Sequence, residues 1–333
     1  MSVLDVFNNS AFSTTSLTSA VNKMPFLPGR AGRLGIFDEA GIDTTTVMIE
    51  QRDGVLQLIP DTPRGAPPRQ HNSNRREART FRVPHFPLEG AIMADEIQNV
   101  RMFGSENQLE TIQAKVSEKL EEMLRSLDAT VEYGRIGAIK GIILDADGST
   151  VIHDLFTEFG VTQIVVSFEL DVDTTVVRGI CLDVKNQIED ELGDATYDHI
   201  HAFCGADFFK SLIDHPDVRE AYQRWLDGQA LRNDPRFTGF EFAEIMFEQY
   251  RGAVSGVPFV AANEAHLFPV GTPGLFKTRF APADFVEAAN TIGLPRYAKQ
   301  ERMRFDKGIE LHEQTNPFSY CERPKVLVKA TLT

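Results

Sequence analysis

The sequence predicts an α+β protein, and three patterns along the chain support that fold class. An apolar series with helical spacing begins near residue 109. Helix and strand patterns then alternate between residues 161 and 260, and strand-like runs lie on both sides of these two regions. Mixed patterns of this kind predict helices packed on sheets around a hydrophobic core.

The first 40 residues predict an N-terminal arm. They are rich in Asn, Ser and Thr and then in Pro and Gly, and they show no sustained helical or strand period. A strand-like run follows at residues 44–50, and the dipeptide Asp53-Gly54 is a strong hairpin-turn signal before a second run at residues 56–59. The sequence therefore predicts a two-stranded excursion after the arm.

Residues 64–82 form a strongly basic segment with six arginines, one glutamate and no periodic apolar face. Since this segment carries +5 (six minus one) and the whole chain carries −14, the remainder is near −19. Two interpretations stay open, a solvated mobile loop or an arm that lies on an acidic neighbouring copy. In the second interpretation the candidate intersubunit contacts are Arg64, Arg69, Arg75, Arg76, Arg79 and Arg82.

A long amphipathic helix is predicted after this segment. Residues 105–108 match a capping box, and apolar residues step by three and four from Leu109 to Val131. The helix should end near Gly134, which gives a length of about 42 Å. A coiled coil is disfavoured because the apolar stripe does not keep a strict heptad.

Beyond the helix, two strands joined by an Asp-Gly turn lead into a compact α+β region, and the chain ends in a strand-like run. The predicted strands are residues 135–144, 150–156, 199–203, 240–242, 259–260 and 325–332, and the predicted helices are residues 177–192 and 206–212.

Composition excludes several classes of function. A net charge of −14 disfavours tight binding of nucleic acid but suits a protein that encloses it. The apolar runs are shorter than the ~20 residues of a membrane helix, and no secretory signal is visible, so we expect synthesis in the cytoplasm. Cys181, Cys204 and Cys321 are widely spaced, which predicts reduced thiols in or near cores.

The strongest enzymatic signal is an apolar run followed by Asp145-Ala146-Asp147-Gly148, which resembles the first motif of haloacid dehalogenase-type phosphatases. In that chemistry a nucleophilic Asp and an acid/base Asp act with Mg²⁺. Two points disfavour it. The interval to the later acidic string at residues 194–198 is too short for that fold, and Asp-Gly between two apolar strands is what a hairpin requires.

A metal site at His199 and His201 is a second possible interpretation, because these two residues share a strand face next to Asp198. Two strand histidines without a third close ligand are more often packing or hydrogen-bonding groups. We therefore expect no catalytic residue, no metal and no cofactor in this chain.

Strings spread over nearly the whole chain resemble the major capsid protein E family of lambda-like tailed phages, whose members have the Hong Kong 97-type fold. They are LTSAVNK (17–23), PDTPRGAPP (60–68), EIQNVR (96–101), YGRIGAIKG (133–141), GLPRY (293–297) and PKVLV (324–328).

The resemblance implies a major capsid protein of a double-stranded DNA phage that self-assembles into hexamers and pentamers of an icosahedral shell. It would be assembled in the host cytoplasm and located in the virion capsid. The resemblance implies an N-terminal arm at 1–40, an extended basic E-loop at 41–90, a peripheral domain with a spine helix and sheet at 91–160, an axial α+β domain at 161–285 and a return to the peripheral-domain sheet at 286–333.

The resemblance also implies partners, namely other copies of the chain, a portal, a scaffold and in many cases a decoration protein. Some relatives of this fold form isopeptide bonds from an E-loop lysine. This chain has no lysine between Lys23 and Lys115, so non-covalent contacts or decoration should stabilise its shell. A tail-tube protein is the structural alternative, but such proteins are usually shorter and lack a long spine helix.

Overall fold

A computed structural model describes residues 13–23, 29–52, 76–97, 108–227, 239–254 and 256–333. The chain divides into two compact units. The first comprises Met1–Thr46, Arg82–Ile136 and Lys277–Ser319, and the second comprises Val47–Phe81, Gly137–Phe276 and Tyr320–Thr333. Each unit is therefore built from three separate stretches of sequence.

The described elements mix helices and strands, which confirms the α+β class. The helices are α1 (Thr14–Lys23), α2 (Arg30–Arg33), α3 (Ala94–Ile97), α4 (Gln108–Lys140), α5 (Leu155–Phe159), α6 (Val177–Leu192), α7 (Ala206–Asp214) and α8 (Pro216–Asp227). The strands are β1 (Phe37–Gly41), β2 (Thr46–Arg52), β3 (Arg76–Arg82), β4 (Phe86–Met93), β5 (Ile142–Leu144), β6 (Val151–Asp154), β7 (Ile164–Ser167), β8 (His199–Cys204), β9 (Phe240–Phe242), β10 (Ile245–Gln249), β11 (Ala253–Val254), β12 (Val257–Pro258), β13 (Glu264–Val270), β14 (Phe276–Phe280), β15 (Tyr297–Arg302), β16 (Gly308–Thr315), β17 (Pro317–Cys321) and β18 (Val328–Thr331).

In the first unit, α1 and α4 pack on the three-stranded antiparallel sheet β15-β16-β4. Strand alternation places Ile92, Ile309 and Leu311 on the face that meets the helices. From α4, Val116 and Leu120 complete this core. A second sheet, β1-β14-β17, is formed mostly by residues of the first unit.

The prediction of an arm without regular structure is wrong for residues 14–23, which form α1. Leu17 and Val21 lie one helical turn apart and are buried in the core of the first unit. Between them, the Thr18 hydroxyl donates to the Ala298 carbonyl and accepts from the Ala298 amide, both at 3.2 Å. The helix therefore satisfies the backbone of an edge strand, a role that the polar composition of this segment hid.

The long helix α4 is confirmed, but its end is not where the sequence placed it. It runs for 33 residues to Lys140, about 50 Å, so the strand predicted at residues 135–141 is wrong. Ile136 and Ile139 are buried and continue the helical apolar series. The helix stops at Gly141, whose positive φ of 80° is a helix-ending conformation that glycine adopts without strain.

Part of the predicted two-stranded excursion is confirmed as β2, whose described partner is β3. The Asp53-Gly54 turn and the run at residues 56–59 lie outside the described residues. Interpreting the whole basic segment as a loop is wrong at its C-terminal end, because residues 76–82 form β3.

The second unit is built on a mixed six-stranded sheet in the order β7-β18-β13-β8-β10-β9. Buried phenylalanines from strands and helices fill its core, with Phe168 and Phe208 at 5.4 Å between ring centroids. The helix at 177–192 and the elements predicted at 199–203, 206–212 and 240–242 are confirmed as α6, β8, α7 and β9. The three cysteines are free and buried, as expected.

Three more predicted strands need correction. The strand predicted at residues 150–156 is shorter than expected, because β6 ends at Asp154 and Leu155 and Phe156 belong to α5. Residues 259–260 are buried but not a strand; Phe259 donates its amide to the Gly252 carbonyl at 2.9 Å just after the short β11–β12 pair. In the C-terminal run, Pro324–Val326 is a 3₁₀ turn and only Val328–Thr331 is a strand. The latter strand, β18, lies between β7 and β13 in the six-stranded sheet.

Candidate functional site

The basic segment is attached to the second unit through the end of β3. Phe81 is 2% exposed and stacks on Phe159 at 5.6 Å between ring centroids, with the His153 ring edge-on at 5.9 Å. The Arg79 guanidinium lies 5.8 Å from the centre of the Phe159 ring, within cation–π range. One aromatic anchor therefore fixes the base of the arginine-rich segment.

The structure places the six candidate arginines in different situations. Arg64, Arg69 and Arg75 lie outside the described residues. Arg76 begins β3, and Arg82 ends it with an exposed side chain. Arg79 contacts the Phe159 ring of its own subunit, and the structure leaves the proposed intersubunit role of the set open.

The Asp145–Gly148 string forms the turn of an antiparallel hairpin between β5 and β6. The Asp147 carboxylate accepts hydrogen bonds from the amide of Ser149 at 2.9 Å and from the amide and hydroxyl of Thr150 at 2.8 and 2.6 Å. These hydrogen bonds, led by the Thr150 hydroxyl, hold the pKa of Asp147 well below its usual value. An exposed carboxylate tied to its own turn suits a structural role.

Of the two histidines on β8, His201 lies in the core of the second unit and His199 is half-buried. His201 is 2% exposed and its Nε2 lies 3.1 Å from Glu248 on the parallel neighbour β10. Burial, and then the neighbouring His201 ring, lower the pKa of His199. Among the described residues no group of three His, Cys, Asp or Glu side chains is arranged to hold a metal ion.

A buried polar cluster in the first unit was missed by the sequence reasoning. Arg296 donates to both carboxylate oxygens of Asp128, at 2.7 and 2.8 Å, and also to the Val21 carbonyl at 3.0 Å. Both members of the pair are only 6% exposed. The signal that could have found it is a break in the helical stripe, since Asp128 follows Leu127 on the buried side of α4.

A second buried acid, Glu313 on β16, lies near that pair. It is fully buried, and burial raises its pKa to about 8 in spite of the opposing effect of Arg296, with Asp128 adding to the rise. The Asp128–Arg296 pair also lines a cleft of about 250 Å³ with Leu127, Val131 and Arg135. The cluster ties α1, α4 and the sheet of the first unit together.

Comparisons with known proteins point to one family. A family model described as phage major capsid protein E matches residues 13–332. The chain is 34% identical to the major capsid protein of Pseudomonas phage KPP10 over 342 residues, 96% of each chain. It is 28% identical to the major capsid protein of Salmonella phage Felix O1, again over 96% of each chain.

The fold also resembles a solved structure. A protein assigned as the capsid protein of a prophage in E. coli CFT073 superposes with a TM-score of 0.59 at 13% identity, covering 96% of this chain and 99% of the other. At that identity the likeness concerns the fold alone.

Proposed function

Since this chain belongs to the phage major capsid protein E family, we propose that its copies assemble into hexamers and pentamers of an icosahedral shell that encloses double-stranded DNA. Its function is that of a phage major capsid protein, and its fold is of the Hong Kong 97 type. The near full-length match to the family and to its named members carries this conclusion. Closure of a symmetric shell combines many modest contacts, so no single strong site is needed.

Within the shell, we assign the first unit to the peripheral domain, with α4 as the spine helix, and the six-stranded part of the second unit to the axial domain. Residues 1–40 would be the arm, 41–90 the E-loop, 91–160 the spine and peripheral sheet, 161–285 the axial domain and 286–333 the return to the periphery. Supporting this assignment are the 33-residue length of α4 and its packing on a sheet that includes β15 and β16. The last strand, β18, is an exception to this scheme, because it pairs within the six-stranded sheet that we assign to the axial domain.

Other partners follow from the family, and each is a proposal here: a portal, a scaffold and a decoration protein. The mature particle would be the site of the protein, after assembly in the host cytoplasm. We propose no catalytic role. The carboxylate that a phosphatase would use at Asp147 is engaged in its own hairpin turn.

The primary experiment is electron microscopy of the chain produced alone and together with the head-assembly proteins of the same phage. Closed shells with hexameric and pentameric units are expected in at least one of the two preparations. Tubes in both would indicate a tail-tube protein, and small monodisperse particles in both would contradict a capsid role.

The basic segment supplies the second part of the proposal, in which its arginines pair with acidic groups on a neighbouring copy. Its +5 charge (six arginines, one glutamate) against −19 for the rest supports this, because the subunit is then complementary to itself. The aromatic anchor at Phe81 supports it further, since it fixes the C-terminal end of the segment.

Reversing two central charges of this segment tests the idea. Arg75→Glu with Arg76→Glu should lower the yield of full-size shells at least about tenfold, because like charges would then face each other across the interface. Lys210→Glu with Arg219→Glu, both exposed in the second unit, makes the same change in net charge and serves as the control. Normal shells from the first variant, or equal loss in both, would show that the segment has no specific role.

A further inference from the structure

The loop between β15 and β16 presents an exposed aromatic side chain on an unfavourable backbone. Phe305 is 90% exposed, and its φ of 63° and ψ of 23° lie in the left-handed region. Bulky residues rarely adopt this conformation, because it is energetically unfavourable for any residue with a large side chain. No aromatic contact between the Phe305 side chain and the described residues of the same subunit offsets this cost.

The loop is nonetheless held in place. Met303 donates its amide to the Gly308 carbonyl at 3.0 Å, and Ala94 donates to the Lys307 carbonyl at 2.9 Å, so the loop is tied to the end of β4. A Cβ at Gly308 would lie 2.5 Å from the Ile92 carbonyl oxygen, so glycine permits this close approach. Phe305 therefore projects from a fixed base.

Charge is distributed unevenly along the same hairpin. Arg304 and Lys307 are exposed beside Phe305, and with Asp306 between them in the sequence the tip carries a net charge of +1 (two minus one). Where β15 and β16 approach this loop, Glu301 and Glu310 are exposed and lie directly opposite each other. They form a like-charge pair, which destabilises a sheet. None of the side chains of the two cations and the two glutamates has a hydrogen bond or an ion pair with another residue in the described part of the chain.

We propose that the hairpin tip of one copy, Phe305 with Arg304 and Lys307, docks beside the Glu301–Glu310 pair of a second copy of this chain. The inference rests on the proposed shell, in which copies meet repeatedly. The cations of the tip offset the like-charge pair, and Phe305 becomes buried against the neighbour, as aromatic anchors at protein interfaces commonly do. Because tip and acidic face are different surfaces, the contact is head-to-tail and can close into a ring.

Phe305→Asn tests the aromatic part of the contact. Asparagine tolerates the left-handed backbone, so the thermal unfolding temperature of the unassembled subunit should stay unchanged or rise. Shell yield should fall at least about tenfold, because a buried aromatic anchor contributes a large share of the binding energy of an interface. Phe305→Tyr, which keeps the ring, should assemble nearly normally. Normal shells from Phe305→Asn would overturn the proposal.

A charge swap tests the pairing and its direction. Arg304→Glu and Glu310→Arg should each reduce shell yield, and the double variant should restore it to within about threefold of the original chain, as coupled partners do in a double-mutant cycle. Additive loss in the double variant would overturn the pairing.

A covalent test uses copies that carry only Arg304→Cys mixed with copies that carry only Glu310→Cys. A disulfide-linked dimer should form in assembled material from the mixture and not from Glu310→Cys alone. Failure of this inference and failure of the shell proposal are distinguishable, since shells of the unmodified chain must form before any variant is compared.

Discussion

At the scale of single residues, Glu313 is the clearest case of a side chain whose charge state is set by the fold. It is fully buried on β16, and burial raises its pKa to about 8, far above the 4.5 of a free glutamate. Arg296 opposes this rise and Asp128 adds to it. The carboxyl is therefore protonated in the folded subunit at neutral pH, whereas it is ionised in the unfolded chain.

This difference predicts a pH dependence of stability. Between its unfolded and its folded pKa this carboxyl binds more protons in the native state, so the contribution of Glu313 to the free energy of unfolding falls as pH rises from about 4.5 to about 8. Glu313→Gln keeps the size and shape of the buried side chain but removes the titrating carboxyl. It should therefore reduce the dependence of the free energy of unfolding on pH in this range. Denaturant unfolding of the unassembled subunit at several pH values measures it. Asp183→Asn, at an exposed position of α6, should keep the original slope, and an unchanged slope in Glu313→Gln would contradict the assignment.

At the scale of elements, the end of α4 shows that two glycines in one helix can have different structural roles. An added Cβ at Gly134 would meet nothing within 4 Å, whereas at Gly137 it would lie 3.0 Å from the Cα of Ile143 and 3.1 Å from the Ile142 carbonyl oxygen. Gly137 thus allows the last turns of the helix to pass close to β5. Gly134 has no such packing role in the described structure.

The two positions predict opposite responses to alanine. Gly134→Ala should raise the free energy of unfolding by up to about 1 kcal/mol, because alanine has the higher helix propensity. In Gly137→Ala the same gain is offset by the backbone contact with β5, so stability should rise less or fall. Denaturant unfolding of the two variants in parallel measures the difference. Equal stabilisation at both sites would show that the helix can shift away from β5 at little cost.

The same helix shows which structural features the sequence predicts and which it does not. Apolar spacing predicted α4 and α6, because a helix packed on a core shows its burial pattern directly in the sequence. The end of α4 was misplaced because Gly134 was taken as a stop, although glycine only weakens a helix and Ile136 and Ile139 continue its buried face. The conformation that ends it, at Gly141, depends on backbone geometry and not on composition.

Local sequence patterns could not predict the strand pairing or the buried cluster of Asp128 and Arg296. No periodicity shows that β8 pairs in parallel with β10 and antiparallel with β13, since register is settled by contacts between distant stretches of chain. Asp128 and Arg296 are 168 positions apart, so their pairing could not be predicted either. The basic segment was found by charge alone, but its anchor at Phe81 needed the structure.

At the scale of the whole molecule, the distribution of charge determines how strongly the protein binds DNA. The chain carries −14, yet its six-arginine segment alone carries +5 (six minus one). Binding to phosphates depends on local cations and on the field of the entire protein, which here repels a polyanion. We therefore expect a shell wall of this charge to enclose a genome without binding it tightly, which would leave the arginines available for neighbouring copies.

The final prediction follows from that balance. The intact unassembled subunit should show no binding to double-stranded DNA at physiological salt in fluorescence anisotropy, with any dissociation constant weaker than about 10⁻⁴ M. A peptide of residues 64–82 should bind the same DNA at low salt and lose affinity steeply as salt is added, because its binding is driven by counterion release. Substituting Arg64, Arg69 and Arg75 with Gln should weaken the peptide and leave the intact subunit unaffected. Submicromolar binding by the intact subunit would mean that the arginine segment serves the genome and not the neighbouring copy.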